Sequence, residues 1–171
     1  SLWKVAADLG VGWVAMHMAG DPRTMQQDPH YDDVVDEVRR FLVERAGAAV
    51  AAGVPEVWVD PGIGFGKTTE HNLDLLAHLD LLVAEGFPVL VGTSRKRFTG
   101  ELLARSDAAG RGLGDLADGF RGAPVAVEER VDASLATATW AMVQGARMVR
   151  AHDVSVTARA ATIVAGGFPT T

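Results

Sequence analysis

Asp60, Lys96, Arg150 and His152 are the residues of this chain whose types and surroundings could do chemistry. Asp60 ends the short apolar run Glu56-Val57-Trp58-Val59 and opens onto Pro61-Gly62-Ile63-Gly64-Phe65-Gly66-Lys67, a loop with glycine at alternate positions. A carboxylate beside a loop almost free of side chains leaves room for a ligand against the backbone. In a closed neighbourhood it suits the amidine- or guanidine-like edge of a neutral heterocycle. Arg150 and His152 stand two apart at the end of Met148-Val149-Arg150-Ala151, so their side chains share one direction, and a cation with an imidazole suits a phosphate or pyrophosphate. Lys96, after Ser94-Arg95, adds a further cation. No nucleophile or acid–base dyad accompanies them. The set suits a transferase that works by positioning and by stabilising a leaving group.

Each residue also has a plainer reading. Asp60 could cap its loop, Ser94 could be the N-cap of a short helix, and Lys96 could belong to a solvated basic turn. Arg150 could pair with Asp153 to hold a loop. His17, between Met16 and Met18, reads best as a satisfied core histidine, and His30, His71 and His78 read as surface residues. No histidine pair has metal-ligand spacing.

Two nucleotide motifs fail by one residue each. A phosphate-binding loop ending at Gly66-Lys67-Thr68 would need glycine where Pro61 stands, and a dinucleotide fingerprint from Gly62 and Gly64 would need glycine at Lys67. Composition narrows the class further. The 171 residues are 48% apolar and 22% charged, which is globular and long enough for one ordinary core in a single domain. A net charge of −6, with no basic cluster beyond Arg95-Lys96-Arg97, disfavours binding along a nucleic-acid backbone. Without cysteine, disulfides, thiol catalysis and cysteine-ligated metals are excluded. No apolar run is long enough to span a bilayer and no signal-peptide pattern is present, so a soluble cytoplasmic protein without membrane partners is expected.

The elements that must position these residues follow from periodicity. Apolar residues at 2, 5, 6 and 9 predict a helix ended by Gly10, and Trp13–Met16 predicts a strand. From Tyr31, Val34, Val38, Phe41, Leu42, Ala49 and Ala52 predict a long amphipathic helix stopped by Gly53. The Asp60 strand is followed by a helix from about Thr69, as N-cap, to Ala84. Pro88–Gly92 is a third strand, with a short helix through Leu102-Leu103. Ser106–Pro124, rich in Gly, Ala and Asp, reads as a mobile segment. A helix over about Val127–Val143, the Met148–Ala151 strand and a last helix over Val154–Val164 complete the order. Helix followed by four strand–helix repeats calls for a parallel α/β sheet, barrel or open. His17, Asp60, Ser94 with Lys96, and Arg150 with His152 all fall at carboxyl ends of strands, the rim where such folds bind ligands.

At these residues the chain resembles the dihydropteroate synthase family of pterin-binding enzymes. The resemblance rests on four stretches in the family's order: Met16-His17-Met18-Ala19-Gly20-Asp21-Pro22-Arg23-Thr24-Met25-Gln26, Asp60 to Lys67, Gly92-Thr93-Ser94-Arg95-Lys96-Arg97-Phe98, and Arg150-Ala151-His152-Asp153. It covers most of the chain outside Ser106–Pro124. It implies a (β/α)8 barrel of roughly 250 residues, of which this chain would supply strands five to eight, with the first half expected before Ser1. It further implies two open sheet edges.

The implied reaction condenses p-aminobenzoate with 6-hydroxymethyl-7,8-dihydropterin pyrophosphate to give dihydropteroate and pyrophosphate, the leaving group departing early. By position in the motifs, Asp60 would hold the pterin's amino-pyrimidine edge, Lys96 would contact the pterin, and Met16 would pack on its ring. Phe65 and Ser94 would line the p-aminobenzoate pocket, and Arg150 and His152 would bind the pyrophosphate. The family, a target of sulfonamides, also implies Mg2+ bound with the pyrophosphate through a ligand upstream of this chain and a homodimer through the late helices. Ala151 stands where the family usually has valine, a minor departure at a packing position, and Ser106–Pro124 is longer and richer in glycine than the family pattern. Two other readings share the carboxylate. One is a pterin-binding paralogue with weak or no synthase activity. The other is a methyltetrahydrofolate-binding barrel, which has no pyrophosphate for Arg150 and His152 to hold.

Overall fold

In a computed structural model the described residues are 1–110 and 122–167. Helix α1 (Leu2–Leu9) ends on Gly10, whose left-handed backbone (φ 63°) sends the chain into strand β1 (Trp13–Met16). Helix α2 (Val34–Ala51) begins at Asp33, whose side chain accepts from the Asp36 N–H. It starts three residues later than the periodicity from Tyr31 suggested. Strand β2 (Val57–Asp60) then leads through the glycine loop to α3 (Thr69–Ala77) and α4 (Leu79–Val83).

The N-cap of α3 is Thr68 rather than Thr69. Thr68 Oγ1 accepts from the His71 N–H while the Thr68 N–H donates to His71 Nδ1, so histidine fills the place usually taken by Glu or Gln. His71 is therefore half-buried and structural, not a surface residue. The single helix expected to Ala84 breaks at His78 (φ −112°, ψ 29°), with Leu75, Leu76, Leu79 and Leu82 buried across the break.

Strand β3 (Leu90–Val91) is followed by α5 (Arg97–Gly110), a 14-residue helix where only a short one was expected. It takes in Ser106–Gly110, the start of the segment read as mobile; residues 111–121 of that segment lie outside the described residues. A 3-10 turn at Val127–Glu129 precedes α6 (Val131–Val143), so the expected helix starts four residues late. Strand β4 (Met148–Val149) and α7 (Val154–Gly167) follow.

All strand pairings are parallel. Trp13 to Met16 lie opposite Val57 to Asp60, and Leu90 and Val91 lie opposite Met148 and Val149. The two pairs are joined by a bridge between Val59 and Val89, with the Val59 N–H donating to Pro88 O. The strands thus stand side by side in chain order, with helices between them, as the alternating pattern called for.

The core gathers one face of α2 (Val38, Leu42, Ala46, Ala49) against Val57 and Val59 of β2, then Ile63, Leu79, Val89 and Val91. Polar residues cover the opposite face of α2, where Arg39 bridges Asp36 and Glu85. Among the described residues, β1 and β4 each pair on one side, and apolar residues in them or next to them in the chain stay exposed: Leu9 and Val14 at β1, Met148 and Val154 at β4.

Leu42 is completely buried, so Leu42→Ala removes its transfer energy and leaves a cavity. The expected loss is about 2–5 kcal/mol of stability, read by urea unfolding.

Candidate active site

The carboxyl ends of the strands bring the chemistry-bearing residues together. Asp60 ends β2 opposite Met16 of β1 and is almost wholly buried. Its Oδ1 accepts from the Gly62 N–H at 2.7 Å. Burial pushes the carboxyl's pKa up, and the Gly62 N–H, Lys96, Arg150 and Lys67 pull it back down. The side chain does cap its loop, and it also faces three cations.

That loop is held at almost every peptide. Gly62 (φ 66°), Gly64 (φ 79°) and Gly66 (φ 62°) are left-handed, and a Cβ on Gly62 would sit 1.8 Å from His17 O. The Gly64 N–H donates to Asn72 Oδ1 at 2.7 Å, and Gln26 Nε2 donates to Gly64 O at 2.6 Å. Tyr31 OH donates to Gly66 O at 2.8 Å. Lys67 Nζ donates to Gly62 O and Phe65 O and meets His17 Nδ1 at 3.0 Å. Asn72, Tyr31 and the role of Lys67 escaped sequence reasoning. A lysine closing a glycine run was the available signal, since an ammonium has three donors for such a loop's carbonyls.

His17 is the buried histidine expected, with Lys67 as its partner. Burial lowers its pKa to about 4 and the Lys67 ammonium adds to this, so the ring is neutral and its Nδ1 accepts. Burial likewise lowers Lys67 to about 7, against the pull of Asp60.

Lys96 Nζ donates to Ile63 O and lies 4.3 Å from the centroid of the Phe65 ring, so it is not a solvated turn residue. Burial lowers its pKa to about 8, with Asp60 opposing. Ser94 is buried and is not the N-cap of α5, which begins at Arg97. Its Oγ accepts from the His152 N–H at 3.1 Å and lies 3.0 Å from His152 Nδ1. The Ser94 hydroxyl can donate to Nδ1 or accept from it, according to the tautomer of the His152 ring. The alternative Arg150–Asp153 pair does not form. Asp153 is taken bidentately by Arg95, at 2.7 and 3.1 Å. Arg150 instead lies over Gly92, where a Cβ would come within 3.3 Å of its guanidinium.

Beside this cluster a cleft of about 530 Å³ is lined by Phe65, Lys96, Arg97, Thr68 and Gln26 among others. The arrangement offers a buried carboxylate for a heterocycle's N–H edge, cations around it, and a cleft for a second molecule. Residues 1–152 match the family model for pterin binding enzymes. The chain belongs to the pterin binding enzyme family.

Its relatives agree with the motifs. It is 44% identical over 157 residues to the dihydropteroate synthase of Neisseria meningitidis serogroup C, a match that covers 90% of this chain and 48% of that one. It also superposes on the dihydropteroate synthase of Thermus thermophilus in complex with 6HMPPP, with a TM-score of 0.80 and 43% identity over 98% of this chain and 60% of that one. The complex of the same enzyme with 4-aminobenzoate aligns equally well, at a TM-score of 0.80 and 43% identity over 98% of this chain and 61% of that one. The chain spans about half the length of the curated relatives it matches.

Two outcomes follow from the loop. In Gly62→Ala the new methyl meets the His17 carbonyl at a left-handed φ. The loop must move, and pterin affinity measured by calorimetry is expected to fall at least about tenfold. The second concerns acid. Above pH 6.5 His17 is neutral in folded and unfolded chains alike, and between 6.5 and about 4 the unfolded chain takes up a proton that the folded chain refuses. Stability should therefore fall with pH across that window and level off below it, by up to about 1 kcal/mol per pH unit once solvent screening is allowed for. His17→Gln, which keeps an acceptor for Lys67, should flatten that part of a stability–pH curve.

Proposed function

We propose that the protein is a dihydropteroate synthase, condensing p-aminobenzoate with 6-hydroxymethyl-7,8-dihydropterin pyrophosphate in folate biosynthesis. The observation that carries this is the buried Asp60 carboxylate among Lys96, Lys67 and Arg150 at the mouth of a glycine loop. It stands in a chain similar to a synthase crystallised with 6HMPPP and with 4-aminobenzoate.

In this reading Asp60 accepts hydrogen bonds from the amino-pyrimidine edge of the pterin. Those N–H donors offset the burial that raises its pKa, so binding favours the carboxylate. Lys96, fixed by Ile63 O and the Phe65 face, contacts the pterin, and Met16, opposite Asp60, packs on its ring. The bond between the exocyclic methylene carbon and the pyrophosphate oxygen breaks and the electron pair leaves with pyrophosphate. The arylamine nitrogen then bonds to that carbon and loses a proton. Arg150 and His152 receive the departing charge, His152 through Nε2–H. The p-aminobenzoate occupies the cleft beside Phe65, whose wall also carries Arg97 paired with Glu101, Nε to Oε1 at 2.8 Å. Ser94, drawn to His152, serves the pyrophosphate side rather than that cleft.

Magnesium accompanies the pyrophosphate in the proposal. Among the described residues no cluster of three or more carboxylate or histidine groups is spaced to hold a metal. The finer architecture is a (β/α)8 barrel in a single domain, with these four strands as the fifth to eighth. The one-sided pairing of β1 and β4 and the exposed apolar residues beside them support further strands at both edges. Two copies would meet through α6 and α7, whose Trp140, Val143 and Ile163 are exposed. No described helix is long and apolar enough to cross a membrane, and the proposed site of action is the cytoplasm.

The test is pyrophosphate release by the intact protein from the dihydropterin pyrophosphate with magnesium, with p-aminobenzoate present or omitted. Release should require p-aminobenzoate and fall at least about a hundredfold in Arg150→Ala. Asp60→Ala should abolish measurable pterin binding. A protein that binds the pterin and releases nothing would be a non-catalytic relative instead.

A further inference from the structure

Arg95 is the non-glycine residue with positive φ, 58°, among the described residues. A left-handed backbone costs a residue with a Cβ free energy, and such outliers persist where the surroundings over-determine them. Four hydrogen bonds do so here. The Arg95 N–H donates to the buried Ser134 Oγ at 2.9 Å, and Arg95 O accepts from Arg130 Nη1 at 3.1 Å. The guanidinium grips both oxygens of Asp153, Nη2 to Oδ1 at 2.7 Å and Nε to Oδ2 at 3.1 Å. Ser134 in turn donates to Arg130 O at 2.5 Å, tying the set to the start of α6.

The neighbours of this pair are the proposed substrate-handling residues. Ser94 and Lys96 flank Arg95, and His152 precedes Asp153. Two parallel links therefore join the loop after β3 to the loop after β4: Ser94 to His152, and Arg95 to Asp153. The left-handed turn at Arg95 lets Ser94 bond His152 while the next residue, Lys96, reaches Ile63 O and the Phe65 ring. The pair also occupies the carboxylate that would otherwise lie open beside His152 and close in sequence to Arg150. It thereby keeps a negative charge out of the phosphate site.

We propose that Arg95 and Asp153 form a positioning pair that locks these two loops together, so that Ser94 holds the His152 ring with Nε2–H outward and Lys96 stays over Phe65. A bidentate guanidinium–carboxylate contact is planar and directional, which suits a lock better than a lysine would. The electrostatics agree with the geometry. The Arg95 hydrogen bonds hold the Asp153 carboxyl below its usual range, and the Asp153 hydrogen bonds raise Arg95. The assignment rests on the synthase reading for its kinetic consequence alone.

The experiment uses Asp153→Asn, Arg95→Gln, Arg95→Lys and the Arg95→Gln/Asp153→Asn double variant in the intact protein, with two readouts. The first is steady-state pyrophosphate release. In Asp153→Asn, kcat/KM for the dihydropterin pyrophosphate should fall about ten- to a hundredfold. The double variant should be no worse than Arg95→Gln, and Arg95→Lys should recover only part of the activity. The second readout is the nitrogen NMR spectrum of the His152 ring, assigned with His152→Gln. The wild type should show one tautomer, protonated at Nε2, and Asp153→Asn a mixture of tautomers. Should Arg95→Gln fail to fold, the isosteric Asp153→Asn decides alone. An unchanged tautomer in Asp153→Asn overturns the proposal, as do additive single effects. A wild type without p-aminobenzoate-dependent release would overturn the synthase reading, and the ring spectrum would still decide the lock.

Discussion

A buried carboxylate is the constraint on which the site depends. Asp60 leaves an apolar strand with 4% of its surface exposed, and an isolated charge there would be expensive. Its compensation comes from four separate places: the Gly62 N–H in its own loop, Lys67 at that loop's end, Lys96 after β3 and Arg150 after β4. Lys96 and Arg150 arrive from the loops after β3 and β4, so the full compensation exists only when those strand ends stand beside β2. The three cations also repel one another. Arg150 disfavours the charged form of Lys96, and Lys96 that of Lys67. The excess of positive charge over one carboxylate suits the arrival of an anion.

The glycine loop converts that charge cluster into a shaped site. Alternating left-handed glycines aim successive peptides in different directions, and side chains from three other segments take them up: Gln26 and Tyr31 after β1, Asn72 of α3, and Lys96 after β3. Lys67 closes the loop on itself and on His17. Apart from the exposed Gln26, the side chains that hold this backbone are themselves buried or ring-packed, as with Asn72 at 1% exposure and His17 edge-on to Phe41. Rigidity of this kind serves a reaction that depends on positioning, because little chemistry is asked of the side chains.

Much of this was legible beforehand, and the parts that were not have a common cause. The strand–helix alternation, the rim location of Asp60, Lys96, Arg150 and His152, and the loop glycines all follow from local periodicity and backbone sterics. The mistakes lay where a residue's partner is distant in sequence. Ser94 reads locally as a helix cap, yet it is 58 positions from its partner His152. Asp153 reads as a mate for Arg150 three residues before it, and Arg95 takes it from 58 residues away. His71 reads as surface until it caps α3 and meets the Tyr31 ring. Even the N-cap moved by one residue, because Thr68 and Thr69 are chemically the same and Thr69 is drawn to Glu101.

By itself the sequence determined the elements, their order and the side of the fold on which ligand chemistry gathers, because those depend on short-range sterics and on hydrophobic period. Tertiary structure alone decided which polar groups pair and which remain for a ligand: Asp153 with Arg95, Lys67 with the neutral His17, and Arg150 left over Gly92. The reason is that pairing energy depends on distance and burial, and neither exists until the strand ends are brought side by side.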